Sequence, residues 1–349
     1  MTPLAALLIQ RIRASGPITL AEYMADCLLH PQHGYYATRD PFGASGDFTT
    51  APEISQMFGE LLGLCLAQSW LDQGAPARFT LAELGPGRGT LMADVLRATQ
   101  RVPGFHAAAE VLLVEASATL RARQRSTLGE HPVRWTDQLP SGDTPLYFIA
   151  NEFFDALPIR QFTRTPEGWS ETLIGLANHQ LCMGKSAPAP IALLDHRLAD
   201  TAPGDVIEIC PAAPAIAQTI AAQIESHGGA ALILDYGDWI SRGDTFQALQ
   251  AHRFTDPLAD PGNADLTAHV DFAALASAAK SYAYTTQAQF LTALGIEHRA
   301  AQLAAKLQGE ALAQHNAATR RLTAPEEMGK LFKALALFPS YAAKPPGFS

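Results

Sequence analysis

The chain has 349 residues, 48% of them hydrophobic and 17% charged, with a formal net charge of −9. That is apolar material for one large domain or two smaller ones, and the acidic balance argues against a nucleic acid as main partner, because phosphate binding needs a basic face. The four cysteines, Cys27, Cys65, Cys182 and Cys210, stand far apart with no Cys-x-x-Cys pair, which argues against a zinc site or a disulfide framework, and no apolar run reaches membrane-spanning length.

Apolar positions at helical spacing predict helices over 4–14 and 19–29, parted by Ser15-Gly16-Pro17. The first twenty residues carry two arginines and an apolar patch but no small-residue cleavage site. They are read as the first helix of a cytoplasmic protein rather than as a targeting sequence. A polar, aromatic loop follows, His33-Gly34-Tyr35-Tyr36 and then 42–53, in which Asp47, Phe48, Thr49, Thr50 and Glu53 suit ligand contact. Such a loop either folds over a ligand bound by the next unit or is a surface connector. A helix is expected over 54–71, with Met57, Leu61, Leu64 and Leu71 on one face.

Residues 79–90 read as strand, glycine turn and helix start. Phe79, Leu81 and Leu84 make a short buried strand, Gly85, Gly87 and Gly89 turn the chain, and 91–97 continue as a helix. This is the first unit of a nucleotide-binding α/β domain. A dinucleotide-binding loop spaces its glycines G-x-G-x-x-G, and the third would fall at Thr90; here the loop is G-x-G-x-G with Glu83 two places ahead. That is the pattern of class I S-adenosylmethionine methyltransferases, and it disfavours a hydride-transferring dehydrogenase. Glu83 suits the ligand's ammonium group, and Glu115, ending the strand 110–115, suits the ribose hydroxyls. Val133–Asp137 is a third strand, where Trp135 either stacks on adenine or is plain core and Asp137 would accept from the exocyclic amine.

The fourth strand, 145–150, is continuously apolar and ends in Asn151-Glu152-Phe153-Phe154-Asp155. The carboxyl end of a central strand is where an α/β enzyme places its chemistry, so Asn151, Glu152 and Asp155 are the catalytic candidates. Short alternating segments at 159–163 and 169–176 predict antiparallel hairpins. A strand at 206–209, a helix at 215–226 and a fifth core strand ending in Asp235-Tyr236-Gly237 follow. Residues 256–271 read as a long polar loop feeding a helix at 271–279. In it His269 and Asp271 are better taken as a capped helix start than as a metal pair. A strand at 282–286, helices at 287–294 and 299–316 and a last strand at 331–338 complete the chain. The expected division is a helical segment with an active-site loop (1–78), the first part of the ligand-binding sheet (79–158), an antiparallel insertion (159–205) and the remainder of the sheet with helical substrate-side elements (206–349).

Together GDFTTAPEISQMFGELLG (46–63), ELGPGRGTLMADVLR (83–97), NEFFDALPI (151–159), DYG (235–237), DPLADPGNADLTAHVDF (256–272) and MGKLFKALAL (328–337) resemble the MidA-like S-adenosylmethionine-dependent methyltransferases over nearly the whole length. The resemblance implies a class I methyltransferase fold, α/β with a Rossmann-like sheet, an N-terminal helical extension and a β-rich insertion. It implies S-adenosylmethionine as cofactor, with Gly85, Gly87 and Gly89 on its loop, Glu115 as its ribose acid and Asp47–Glu53 bordering the site. Mitochondrial members of the family methylate an arginine of a respiratory complex I subunit, so a protein substrate is implied, with no membrane insertion and an undetermined oligomeric state. Two other readings stay open: methylation of another amino nitrogen such as a protein glutamine, suggested by the likeness of Asn151–Phe154 to an Asn-Pro-Pro-Tyr signature, and a non-catalytic assembly factor that keeps the fold.

Overall fold

A computed structural model of the chain describes residues 1–38 and 49–348, which fall into two units. One comprises the described residues of Met1–Phe48 with Asp155–Ala213 and Trp239–Asp271; the other, those of Thr49–Phe154, Pro214–Asp238 and Phe272–Ser349. Each unit is assembled from three separate stretches, so these boundaries cut across the division expected from the sequence.

The second unit is built on a sheet. Its strands are β1 (Phe79–Leu84), β2 (Ala109–Val114), β3 (Val133–Thr136), β4 (Leu146–Asn151), β5 (Gly229–Asp238), β6 (Ser281–Thr286) and β7 (Phe332–Phe338). They lie in the order β3-β2-β1-β4-β5-β7-β6. β1 to β5 run parallel, and β7 runs antiparallel to both β5 and β6. β4 is buried at every position, as a strand covered on both faces must be. The chain winds from β1 out to β3 and then crosses to β4, so the order reverses between β1 and β4. Ligands of such sheets sit outside the carboxyl ends at that point. Register keeps those ends level: Leu84 pairs with Val114 and Ala150, Val114 with Thr136, and Asn151 with Leu234.

Three helices bear on the site: α1 (Gln56–Asp72), α2 (Thr90–Thr99) and α3 (Ala118–Leu128). α1 meets α2 through two glycines one turn apart. A Cβ added at Gly59 would lie 2.6 Å from the Asp94 Cβ, and one at Gly63 would lie 2.9 Å from the Val95 Cα. This close approach brings the buried Glu60 to 3.1 Å from Arg97, and its other oxygen lies 2.8 Å from Arg299. Burial pushes the Glu60 carboxyl up, but bonds from the two guanidiniums outweigh it and leave the group below its ordinary value. Beside it, burial pushes Asp94 up to about 6 despite the attraction of Arg97. The helix expected over 299–316 is two, Ile296–Ala304 and Gly309–Thr323. The break falls at 305–308, and Gly309, which starts the second helix, has a φ of +56°.

In the first unit the helices Pro3–Ser15 and Leu20–Leu29 begin on side-chain caps, Thr2 and a Thr19–Glu22 capping box. An antiparallel sheet joins Ile18–Thr19, Gly168–Ala177, Arg160–Thr165 and Val206–Ile209 in that order, with Gln180–Lys185 also paired to Gly168–Ala177. Its tight turn, Asn178-His179, has φ of +49° and +64°, as a type I′ hairpin requires. Arg160 grips Glu171 across the sheet through two bonds of 2.7 Å. A further small sheet places Gln247–Gln250 between Arg253–Thr255 and Asp265–Thr267, so the expected polar loop is partly strand. His269 donates its backbone N–H to Thr245, and Asp271 accepts from the Ser241 N–H.

All four cysteines are free thiols. Among the described residues no helix is long and apolar enough to cross a membrane, and no three His, Cys, Asp or Glu side chains are grouped to hold a metal ion.

Gly59→Ala sets two effects against each other. Helix propensity favours alanine by about 1 kcal/mol, whereas a Cβ inside contact distance of α2 forces the helices apart at about 1–3 kcal/mol. Because the obstacle includes the Leu91 carbonyl at 3.1 Å, the clash should prevail. Urea unfolding should show net destabilisation, and a gain in stability would disprove the close packing.

Candidate functional site

The glycine loop leaves β1 with φ of +65°, +51° and +82° at Gly85, Gly87 and Gly89. At Gly85 the requirement is also steric, since a Cβ there would lie 2.8 Å from the Phe153 ring. Gly89 precedes α2 and offers it no side-chain cap. Glu83, on β1 and only 3% exposed, faces this helix start. Burial pushes its carboxyl up to about 8, against the opposing pull of the Met92 backbone N–H. Its Oε2 meets no hydrogen-bond partner among the described residues.

Glu115 follows β2 directly. Its N–H continues the sheet to the Thr136 carbonyl at 2.9 Å. One carboxylate oxygen accepts from the Ser117 N–H at 2.8 Å, the other from the Gln124 amide at 3.3 Å. Burial raises this carboxyl, and those two donors together with Arg121 oppose the shift. Trp135 on β3 donates its indole N–H to Gln124 at 2.8 Å, and the Arg125 guanidinium covers its ring at 4.7 Å. Asp137 lies exposed beyond the strand end.

At the end of β4, Asn151 donates to Glu152 Oε1 at 3.0 Å, and its own Oδ1 is buried without a partner among the described residues. Glu152 has a φ of +50°, in the left-handed region. Its Oε1 also accepts from the Ala51 N–H at 2.9 Å, and its backbone N–H reaches the Leu234 carbonyl. The turn after it hangs on Asp235, a fully buried residue of β5 whose Oδ2 accepts from the N–H groups of Phe153 and Phe154 at 3.2 and 2.9 Å. Glu53, two residues past Ala51, accepts from the Thr90 hydroxyl at 2.6 Å.

Thr50 is buried at the start of the short helix Ala51–Ile54, and Asp47 lies outside the described residues. A cavity of about 510 Å³ opens against this segment, lined by Thr49, Ile54, Ala317, Ala318, Arg321 and Glu327 among others. Asp155 belongs to the other unit. There it is buried, its carbonyl accepts from the Ala268 N–H, and with Asp265 it adds to the effect of burial in raising the Tyr36 hydroxyl.

The structure thus brings Glu83, the three glycines, Glu115, Trp135, Asn151 and Glu152 together along the carboxyl edge of the sheet in one unit. Gln124 and Asp235 escaped the sequence reading as site residues. Asp-Tyr-Gly marked a strand end, but nothing local reports that Asp235 holds a turn 81 residues away. The fit to S-adenosylmethionine rests on two buried acceptor oxygens without donors, Glu83 Oε2 and Asn151 Oδ1, at the ends of neighbouring strands. An ammonium group supplies the hydrogens they lack, and the glycines leave the backbone open to it.

A buried carboxyl poised near 8 is protonated at pH 6.5, and a bound ammonium favours its ionised form. Binding of S-adenosylhomocysteine should therefore release a proton. Affinity should rise by up to about tenfold per pH unit between about pH 5.5 and 7.5, below the range where the ligand's own α-amino group loses its charge. Calorimetry in buffers of different ionisation enthalpy measures both effects. Glu83→Gln should abolish the slope, and a flat profile in the unmodified protein would refute the role of this carboxyl.

The sequence profile of a family described as "Putative S-adenosyl-L-methionine-dependent methyltransferase" matches residues 61–290. The mitochondrial protein arginine methyltransferase NDUFAF7 of Bos taurus is 37% identical, the alignment covering 97% of this chain and 84% of that protein. Its counterpart from Homo sapiens is 35% identical over the same shares. A crystal structure of a Burkholderia thailandensis protein bound to S-adenosyl-homocysteine superposes with a TM-score of 0.84 at 31% identity, over 99% of this chain and 93% of that one. These relatives overturn the cytoplasmic reading of the N-terminal residues: the curated proteins that the chain matches from end to end are mitochondrial, and an arginine-bearing apolar first helix does not tell the compartments apart. On the profile match and these alignments over nearly all of this chain, it belongs to this family of S-adenosylmethionine-dependent methyltransferases.

Proposed function

We propose that the chain methylates an arginine side chain of a protein and that Glu152 is the carboxylate that receives the guanidinium. The observation that carries this reading is the conformation of Glu152 itself. A non-glycine residue in the left-handed region costs on the order of 1–3 kcal/mol, and such strain gathers at functional positions. Here it aims a carboxylate held by Ala51 and Asn151 at the end of β4, beside the strand that carries the glycine loop. The arginine comes from the relatives, whose names describe protein arginine methyltransferases. A subunit of respiratory complex I is the client that the family resemblance suggests.

Bound S-adenosylmethionine supplies a methyl group on a sulfonium, open to in-line displacement. The protein must then make a nucleophile of a guanidinium, which stays charged at ordinary pH. Glu152 does so by accepting paired N–H bonds, drawing positive charge away from the attacking nitrogen and taking up the proton released. Asn151 fixes the carboxylate's orientation through its 3.0 Å bond. On the cofactor side, Glu83 pairs with the ammonium, Gly85, Gly87 and Gly89 admit the methionine portion, Glu115 binds the ribose, and Trp135 and Asp137 border the adenine.

Glu152→Gln should lower the methylation rate of a complex I subunit by at least about a hundredfold, followed by mass spectrometry, while leaving S-adenosylmethionine affinity nearly unchanged. Wild-type activity in this variant would refute the assignment.

A further inference from the structure

We propose that Gln124 is the positioning residue that locks the ribose-binding carboxylate to the glycine loop; this rests on the reading of Glu115 as the ribose acid. Gln124 is fully buried on α3, between Leu120 and Leu128 on the inward face of a helix, ATLRARQRSTL, that is otherwise largely polar. Its amide makes three bonds to three different parts of the site. Oε1 accepts from the Trp135 indole at 2.8 Å, while Nε2 donates to the Gly87 carbonyl at 2.8 Å and to Glu115 Oε2 at 3.3 Å.

The orientation of this amide follows from chemistry alone. An indole N–H only donates, so the atom facing Trp135 must be the oxygen. A carbonyl and a carboxylate only accept, so the atom facing Gly87 and Glu115 must be the nitrogen. An amide has two N–H groups, and both are used. The Ser117 N–H holds the other oxygen of Glu115, so both oxygens are oriented by donors from the protein, one at each end. The aliphatic stem of Gln124 completes the arrangement, because its Cγ lies 3.3 Å from where a Cβ on Gly89 would sit. One side chain therefore sets the position of the ribose carboxylate relative to the loop, and turns the indole of β3 toward the same point.

Truncating such a residue should damage ribose recognition selectively rather than weaken all binding. The measurement is calorimetric affinity for S-adenosylhomocysteine and for its 2′-deoxyribose analogue, in the wild type, Glu115→Gln, Gln124→Met and Gln124→Glu. The wild type should prefer the ribose ligand by about tenfold or more, the scale of a hydrogen bond to a charged group. Glu115→Gln should erase most of that preference. Gln124→Met, similar in volume, should erase it to a comparable degree, and the double variant should lose little beyond Glu115→Gln alone. Gln124→Glu keeps the bond from Trp135 but turns an acceptor toward Gly87 and Glu115, so it too should lose the preference, and it decides the matter if the methionine variant does not fold. A merely structural role would weaken both ligands alike and keep their ratio, which would overturn the proposal. Loss of preference in Glu115→Gln with retention in the Gln124 variants overturns the role of Gln124 alone. Retention in Glu115→Gln overturns the ribose reading, and the role of Gln124 with it.

Discussion

A carboxylate buried at the end of the central strand is the constraint on which the site depends. Glu83 is almost fully removed from water, and a carboxylate there is costly unless something positive or hydrogen-bond-donating meets it. The protein meets it in part, through the backbone at the start of α2. The level strand ends set Asn151 next along the same edge, with a buried oxygen in the same condition. Burial holds the Glu83 carboxyl protonated up to about pH 8 in the protein alone, and a positive group beside it favours the ionised form. An ammonium group would supply the missing donors, which supports the proposed seat of the amino-acid end of S-adenosylmethionine at β1 and β4.

The backbone around that point is strained or special wherever the chain turns. The loop after β1 needs glycine at Gly85 because Phe153 closes on it, and Phe153 is there because Asp235 holds the turn after β4 by two N–H groups. The same turn carries Glu152 in its left-handed conformation. Its neighbours over-determine it: Leu234 fixes its backbone, and Ala51 and Asn151 fix its carboxylate. Local strain of this kind persists only where several interactions agree. The loop after β1 and the turn that carries Glu152 are thus packed against each other rather than independent features.

What could be read from the chain alone follows the range of the interactions. Strand, glycine turn and helix at 79–99 were legible because periodicity, glycine spacing and a preceding acid all lie within twenty residues. β4 was legible from its unbroken apolar run, and Asn178-His179 behaves as the turn between hairpin strands that its position suggests. The break at 305–308 was hidden inside an alanine-rich stretch whose helical pattern continues past it. Gln124 lies at helical spacing between Leu120 and Leu128, the buried face of its helix, but nothing local reports what its amide holds. Asp235 and Glu53 act on partners 81 and 37 residues away, a distance that no local pattern records. The strand order, which puts β1 beside β4, is equally non-local.

Thr90 shows how one position carries two meanings. In the sequence it is the missing third glycine, which argues against a dinucleotide ligand. In the structure its hydroxyl anchors Glu53, two residues from the Ala51 N–H that holds Glu152. Residues 51–53 therefore span from the glycine loop to the carboxylate proposed to receive the acceptor, and each end of the span is a hydrogen bond of less than 3 Å. Methyl transfer demands that nucleophile, carbon and sulfur lie in line, and rate falls steeply as that line is lost. A glycine at position 90 would free the loop to approach a pyrophosphate, but it would also release the link that sets this carboxylate relative to the loop. On the proposed reading, the residue that stands where a dinucleotide loop has its third glycine also serves, through Oγ1, the geometry of methyl transfer.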